Sequence, residues 1–269
     1  MEYIDFHTHI FPEKVAPKAV GKLEKISGIQ PFTDGTLKDT AEKMELCGVS
    51  RFVCLNIATA PGQEATINQV ASQVTETYPQ KILSLGSVHP KSGDIDAELE
   101  RIAALGLPGI KLHPDYQNFM IDSPEAFPIY NKCSELGLFI VFHAGWDCYS
   151  PNCIHAVPEA SARVAKHFPK LKMILAHFGG LRLWEEVNTY LIGLENVYLD
   201  TAMCATFDMD RNLAAHMLLR HPSENIFMGS DCPWEDPRRS IQYIESLSVS
   251  DDRKEKIYCQ NALSFLNWK

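Results

Sequence analysis

Eight short apolar runs recur along this chain, and a polar residue closes each of them. The runs are Tyr3-Ile4, Phe52 to Leu55, Ile82 to Leu85, Gly109-Ile110, Leu138 to Phe142, Met173 to Leu175, Val197 to Leu199 and Ile226 to Met228. Their length and β-branched content suit buried strands, and runs apolar on both faces suit a parallel sheet covered by helices. Helical patterns with matching punctuation separate them. Leu37 to Cys47 stops at Gly48, Ile95 to Leu105 stops at Gly106, and Ser123-Pro124 opens a helix that Gly137 closes. Eight alternating units fit a closed barrel better than an open sheet. The length of 269 residues agrees, because a (β/α)8 barrel takes ~250. There is no linker, low-complexity tract or internal repeat, so residues 1–269 are expected to form one α/β domain, a (β/α)8 TIM barrel.

In such a barrel the reactive groups sit where strands pass into the loops that lead to helices. Here the runs end at His7 and His9, Asn56, His89, Lys111 and His113, His143, His177, Asp200 and Asp231, so six of the ten histidines fall at strand ends. From His89 onward, successive ends are 23 to 34 residues apart, about one strand-helix unit each. Only the first interval is longer. Its extra length, Phe11 to Gly35, is rich in Pro, Gly and Lys and reads as a helix plus a loop over the barrel mouth.

His7 and His9 are two apart on a strand and therefore point to one side, a metal's width from each other. A lone His-x-His is weak evidence, and what strengthens it is the company of His143, His177 and Asp231 at other strand ends. A buried imidazole or carboxylate without a partner costs several kcal/mol, and a divalent cation resolves all of these groups together. His7, His9, His143 and Asp231, from strands 1, 5 and 8, make an N3O set. Such a set suits Zn2+ and also accepts Mn2+ or Fe2+. The competing account is a group of core histidines bonded to carbonyls.

Five segments in order match a known pattern: Asp5-Phe6-His7-Thr8-His9, Gly109-Ile110-Lys111-Leu112-His113-Pro114, Phe142-His143-Ala144-Gly145, Leu175-Ala176-His177-Phe178-Gly179-Gly180 and Gly229-Ser230-Asp231-Cys232-Pro233-Trp234. Together they resemble the amidohydrolase superfamily, and more narrowly its amidohydrolase-2 branch, related to aminocarboxymuconate semialdehyde decarboxylase. Ile257 to Leu266, with Asn261-Ala262, is similar to the closing helix of that branch. The resemblance implies that His7, His9, His143 and Asp231 hold one metal ion, while His177 stands unligated beside it as an acid, base or electrostatic clamp. It leaves Lys111 and His113 open. Lys-Leu-His-Pro is similar to a segment of some dihydroorotases, where a carboxylated lysine bridges two metals. In the decarboxylase-related branch one ion is expected, and Lys111 would face an anionic substrate. His113 would either join it there or cap the loop before Pro114.

The formal charge of −9 argues against nucleic-acid and anionic-membrane partners and leaves a small molecule as the expected one. The amino-terminal residues lack the features of a secretory signal, and no apolar run is long enough to span a membrane, so a cytoplasmic protein is expected. A homodimer is the expected assembly should copies associate. The eight cysteines form no Cys-x-x-Cys pair and read as reduced thiols. Cys232, next to Asp231, is the one expected to line the pocket. Trp146, Trp234 and Tyr149 are candidates for an apolar wall, and His155, on the loop after strand 5, is a candidate substrate contact with a loop-ordering hydrogen bond as its equal alternative. His89 has a weaker claim to the pocket, and His167, His216 and His221 are placed on the surface or at helix C-termini.

The leading expectation is hydrolysis. The ion activates water to attack a small carboxylate-bearing ester, lactone or amide, Asp231 accepts the water's proton, His177 polarises the carbonyl, and Lys111 or His113 holds the anionic group. The alternative is a non-oxidative decarboxylase of an unsaturated or aromatic carboxylic acid, which keeps the same ligands. A dihydroorotase-like binuclear amidase is third, and a non-catalytic metal-binding scaffold is last.

Overall fold

The eight expected strands form and run parallel: β1 (Tyr3–Thr8), β2 (Val49–Leu55), β3 (Ile82–Leu85), β4 (Gly109–Leu112), β5 (Phe139–Phe142), β6 (Met173–Leu175), β7 (Val197–Asp200) and β8 (Ile226–Phe227). The computed structural model describes residues 2–268, so Met1 and Lys269, the two ends of the expected domain, lie outside the described residues. The strands build a (β/α)8 barrel from two arcs, β1-β2-β3 and β4 to β8, in chain order. Backbone hydrogen bonds join the arcs at both seams. Gly86 N donates to Gly109 O at 3.0 Å and Lys111 N to Gly86 O at 2.8 Å, while Phe6 N donates to Met228 O and Asp231 N to His7 O, each at 2.8 Å.

Helices cover the outside, and their ends follow local chemistry. Leu37–Leu46 is capped by Thr36, whose side chain accepts from Asp39 N, and Phe127–Leu136 ends on Gly137 in the left-handed region that spares glycine a Cβ clash. The long first interval holds a helix, Ala16–Ser27, whose Ala19, Leu23 and Ser27 border the barrel mouth. Among the described residues no helix is long and apolar enough to cross a membrane.

Two cores result. The larger lies between strands and helices, and the smaller fills the barrel interior with Ile4, Phe6, Val53, Val141, Ile174 and Phe227. Phe6 stacks on Phe227 with ring centroids 4.2 Å apart, and Phe265 of the closing helix packs edge-on against both, sealing the end opposite the mouth. Register in β1 shifts between Asp5 and Thr8. Such an irregularity re-aims side chains, so Phe6 can pack into the interior while the next residue, His7, turns to the mouth. The buried Asp5 carboxylate holds this turn by accepting from His7 N and Ser230 N, both at 3.0 Å, and from the Ser230 hydroxyl. Burial pushes the Asp5 carboxyl up to about 7.

Gly145 marks the tightest approach between two mouth loops. It has φ +87°, and a Cβ there would stand 2.1 Å from Leu181 N. Because the obstacle is backbone, Gly145→Ala should destabilise the barrel by about 3 kcal/mol or more. The expected readout is a drop in Tm of roughly 10 °C by calorimetry.

Candidate metal centre and active site

His7 and His9 leave the end of β1, and Asp231 follows β8 across the seam. Their ligand atoms converge: His7 Nε2 lies 3.3 Å from His9 Nε2 and 3.3 Å from Asp231 Oδ1, and His9 Nε2 lies 3.1 Å from the same oxygen. Donors bonded to a common Zn2+ at ~2.0–2.2 Å stand about this far apart. The outer nitrogens explain why the inner ones are available. His7 Nδ1 is 2.8 Å from Asp200 Oδ2 and His9 Nδ1 is 2.8 Å from Leu55 O. Both partners are acceptors, so each ring carries its proton on Nδ1 and offers a lone pair at Nε2. Burial holds the His7 imidazole well below its ordinary pKa, hence neutral. The donor set fits a divalent ion.

His143, expected as the fourth ligand, stands beside this triad rather than within it. Its Nδ1 is 3.0 Å from His177 Nε2, and its ring centroid is 4.7 Å from that of His177. His177 is itself pinned at the end of β6. Its backbone N donates to Asp200 Oδ1 at 2.9 Å, and its φ of 59° is left-handed, as is that of Asp231 at 68°. Strained backbone of about 1–3 kcal/mol per residue at two of the expected catalytic groups is the pattern seen where geometry serves chemistry. Burial lowers the His177 pKa, and the His143 pKa lies well below its usual value for the same reason.

A second group, His113, His143 and Asp147, also has metal spacing. Its chemistry argues against a second ion. His113 Nδ1 accepts from Tyr116 N at 3.3 Å, so the neutral ring carries its proton on Nε2 and presents a donor. The His113 and His143 rings lie parallel within 10°, with centroids 4.3 Å apart. Thus His113 caps the short helix Pro114–Gln117, as one of its two expected roles required, while its other edge faces the cavity.

The mouth opens into a cavity of about 760 Å3 that brings together His7, His9, Lys111, His143, His177 and Asp231. Trp146, Trp234, Tyr149 and His113 line it too. Lys111 is 1 % exposed, the one buried lysine or arginine among the described residues. Burial pulls its ammonium down to about 8, against the opposing pull of Asp200, Asp231 and Asp147. Two expectations fail here. His155 does not line the cavity, because its Nδ1 is committed to Asp115 Oδ1 at 2.9 Å behind the wall. Cys232 does not either: its buried thiol points away to Thr33 Oγ1, at 3.8 Å, and Cys148 borders the cavity instead. His89 also stays out of it, with Nδ1 accepting from Lys91 N.

Three acids went unassigned as site residues. Asp200 closes β7 and was visible as a strand end, yet nothing local shows that it reaches His7. Asp147 lies 3.6 Å from His143 and 3.7 Å from His113, with its carboxyl pushed up to about 7 by burial. Asp115 is wholly buried at its side chain. Neither of the last two ends a strand, so the strand-end rule passes over them.

The amidohydrolase family model matches residues 4–268. A 2-amino-3-carboxymuconate-6-semialdehyde decarboxylase from Dictyostelium discoideum is 27% identical over 133 residues, a match spanning 42% of this chain and 37% of that protein. The chain therefore matches little more than a third of that relative's length. Among solved structures, an uncharacterized TIM-barrel protein from Bordetella bronchiseptica is 20% identical with a TM-score of 0.76, covering 100% of this chain and 99% of that one. A 5-carboxyvanillate decarboxylase from Novosphingobium aromaticivorans, complexed with manganese and 4-hydroxy-3-methoxy-5-nitrobenzoic acid, is 13% identical with a TM-score of 0.72, covering 98% of this chain and 96% of that one.

The triad and its neighbours predict a division of labour that elemental analysis can read. His7→Ala and Asp231→Ala should lower bound metal several-fold while circular dichroism still reports a folded barrel. His177→Ala should keep its metal and lose roughly 10²-fold to 10⁴-fold in kcat, as expected for a lost acid–base group. Loss of metal in the His177 variant would make it a ligand.

Proposed function

This chain belongs to the amidohydrolase family, and on that premise we propose that it is a metal-dependent, non-oxidative decarboxylase of a small unsaturated or aromatic carboxylic acid. The observation that carries the reading is the place of Lys111, a buried ammonium facing the same cavity as the His7, His9 and Asp231 triad and the neutral His177. Decarboxylation is preferred to the hydrolysis that the motifs first suggested. The curated relative is a decarboxylase, and a decarboxylase holding manganese matches nearly the whole chain in fold.

His7, His9 and Asp231 would hold one divalent ion, with His143 as the fourth ligand through Nδ1. Zn2+ suits this donor set, and Mn2+ is the ion of the Novosphingobium protein. When bound, the ion supplies fixed positive charge that stabilises electron density building on the substrate as its carbon–carbon bond breaks. Lys111 binds the substrate carboxylate, and the Nε2–H of His113 donates to a polar substituent on the same side. Trp146 and Trp234 flank the organic portion and keep bulk water from it. As carbon dioxide departs, its bonding electron pair stays on the substrate carbon. His177, neutral at rest, takes up a proton from solvent and passes it to that carbon, which returns the ring to its neutral form. Burial suits the second half of this relay, because it disfavours the charged ring and so favours passing the proton on. Eight free thiols support a reducing, cytoplasmic setting.

The decisive assay is carbon dioxide release from a panel of aromatic and unsaturated carboxylic acids, run with the Zn2+- and Mn2+-loaded protein beside a lactone and ester panel. Turnover of a lactone or ester without any carbon dioxide release returns the reading to hydrolysis. Lys111 adds a pH signature. Its ammonium is charged below about 8 and is lost above it, so KM for the anionic substrate should rise as pH climbs through that value. Lys111→Met should raise KM at neutral pH, abolish this alkaline rise and leave metal content unchanged.

A further inference from the structure

We propose that Asp115 positions His143 by accepting a hydrogen bond from its Nε2–H, and that His155 and Ser150 hold Asp115 in place to do so. The inference rests on the assignment of His143 as a metal ligand. A neutral imidazole that lends one nitrogen's lone pair to an ion carries its proton on the other nitrogen, and that proton needs an acceptor to fix the ring. His7 has Asp200 for this purpose and His9 has the carbonyl of Leu55. His143 Nδ1 shares a hydrogen bond with His177 Nε2 at 3.0 Å; once Nδ1 lends its lone pair to an ion, the ring's proton would stand on Nε2.

That Nε2 is buried without a hydrogen-bond partner, and so is Asp115 Oδ2. The two orphaned atoms face each other at 3.9 Å. The gap is about 1 Å longer than a charge-assisted hydrogen bond, within the reach of a small side-chain rotation. A buried acceptor left unpaired costs about 1–3 kcal/mol, so both groups gain from the contact. Asp147 Oδ2 is nearer, at 3.6 Å, but it also faces His113 Nε2 at 3.7 Å and borders the cavity, where water or substrate satisfies it. Asp115 Oδ2 has no such alternative.

The rest of the Asp115 carboxylate is already committed. Its Oδ1 takes the Ser150 hydroxyl and His155 Nδ1, the latter at 2.9 Å. Ser150 and His155 sit on the loop after β5, so they fix the carboxylate's orientation from outside the cavity wall. His155 thereby reaches the ion's surroundings through Asp115 and His143, not by touching substrate.

The test reads metal affinity and ligand geometry independently of turnover. Zn2+ affinity is measured by competition with a chromophoric chelator, and geometry by the visible absorption bands of the Co2+-loaded protein. Asp115→Leu should weaken Zn2+ binding by about 10- to 100-fold, the range for loss of a ligand's orienting partner. Asp115→Asn, nearly the same shape, should lose less and shift the Co2+ bands, and His155→Ala should shift the same bands with Asp115 intact. Asp147→Asn should leave affinity and spectrum as in the parent. If Asp115→Leu fails to fold, the Asp115→Asn spectrum decides. Parent-like affinity and bands in the Asp115 variants, or the effect appearing in Asp147→Asn instead, overturns the proposal. His143→Ala separates the two layers: loss of affinity there with unaffected Asp115 variants rejects the positioning role alone, while full affinity in His143→Ala rejects the ligand assignment and the proposal with it.

Discussion

The Asp200 carboxylate reaches from the end of β7 to two histidines on other strands. One oxygen meets His7 Nδ1 at 2.8 Å; the other accepts from His177 N at 2.9 Å and Ala202 N at 3.1 Å. Burial raises its pKa, and these N–H groups oppose that by solvating the charge. The contact to His7 selects the tautomer that leaves Nε2 free for an ion. The contact to His177 holds a backbone that would otherwise relax from a left-handed conformation. A single carboxylate thus sets the candidate ligand on one side of the site and the proposed proton carrier on the other, and the remaining geometry is built around those two fixed rings.

Much of this architecture was legible from periodicity. Every apolar run became a strand because a residue pattern buried on both faces has few other solutions in a chain of alternating helices. Candidate chemistry followed from the rule that reactive groups close strands, which picked out His7, His9, Lys111, His177 and Asp231. The rule has no purchase on side chains supplied by loops. Asp115 and Asp147 escaped it, and His155 was sent to the substrate although a carboxylate behind the wall claims it. Cys232 shows a subtler limit: adjacency to Asp231 says nothing about direction, since a change in backbone conformation turned neighbouring side chains to opposite sides. His113 was read as either cap or pocket residue, and its two ring edges do both.

The choice between hydrolysis and decarboxylation was beyond any motif for a physical reason. Both reactions place negative charge beside a cation and both use a neutral imidazole to move one proton, so the same residues serve either. What separates them is the bond presented to those groups, and that depends on how the cavity seats a carboxylate. Lys111 lies on a strand and was visible, but its burial and its shared space with Trp146 and Trp234 arise only when distant loops meet.

The seam between β1 and β8 joins residues about as far apart in the chain as this fold allows, as the contact between Asp5 and Ser230, separated by 225 positions, illustrates. The candidate ligand triad straddles that same seam, two histidines on one side and Asp231 on the other. An ion held there acts as a clasp between the beginning and the end of the polypeptide. Its binding energy would be released only after nearly the whole chain has been ordered, and would offset the loop-closure entropy of the longest-range contact. A growing or partly folded chain would offer the ion two imidazoles at most from this triad. Full affinity therefore reports that the last strand has docked on the first.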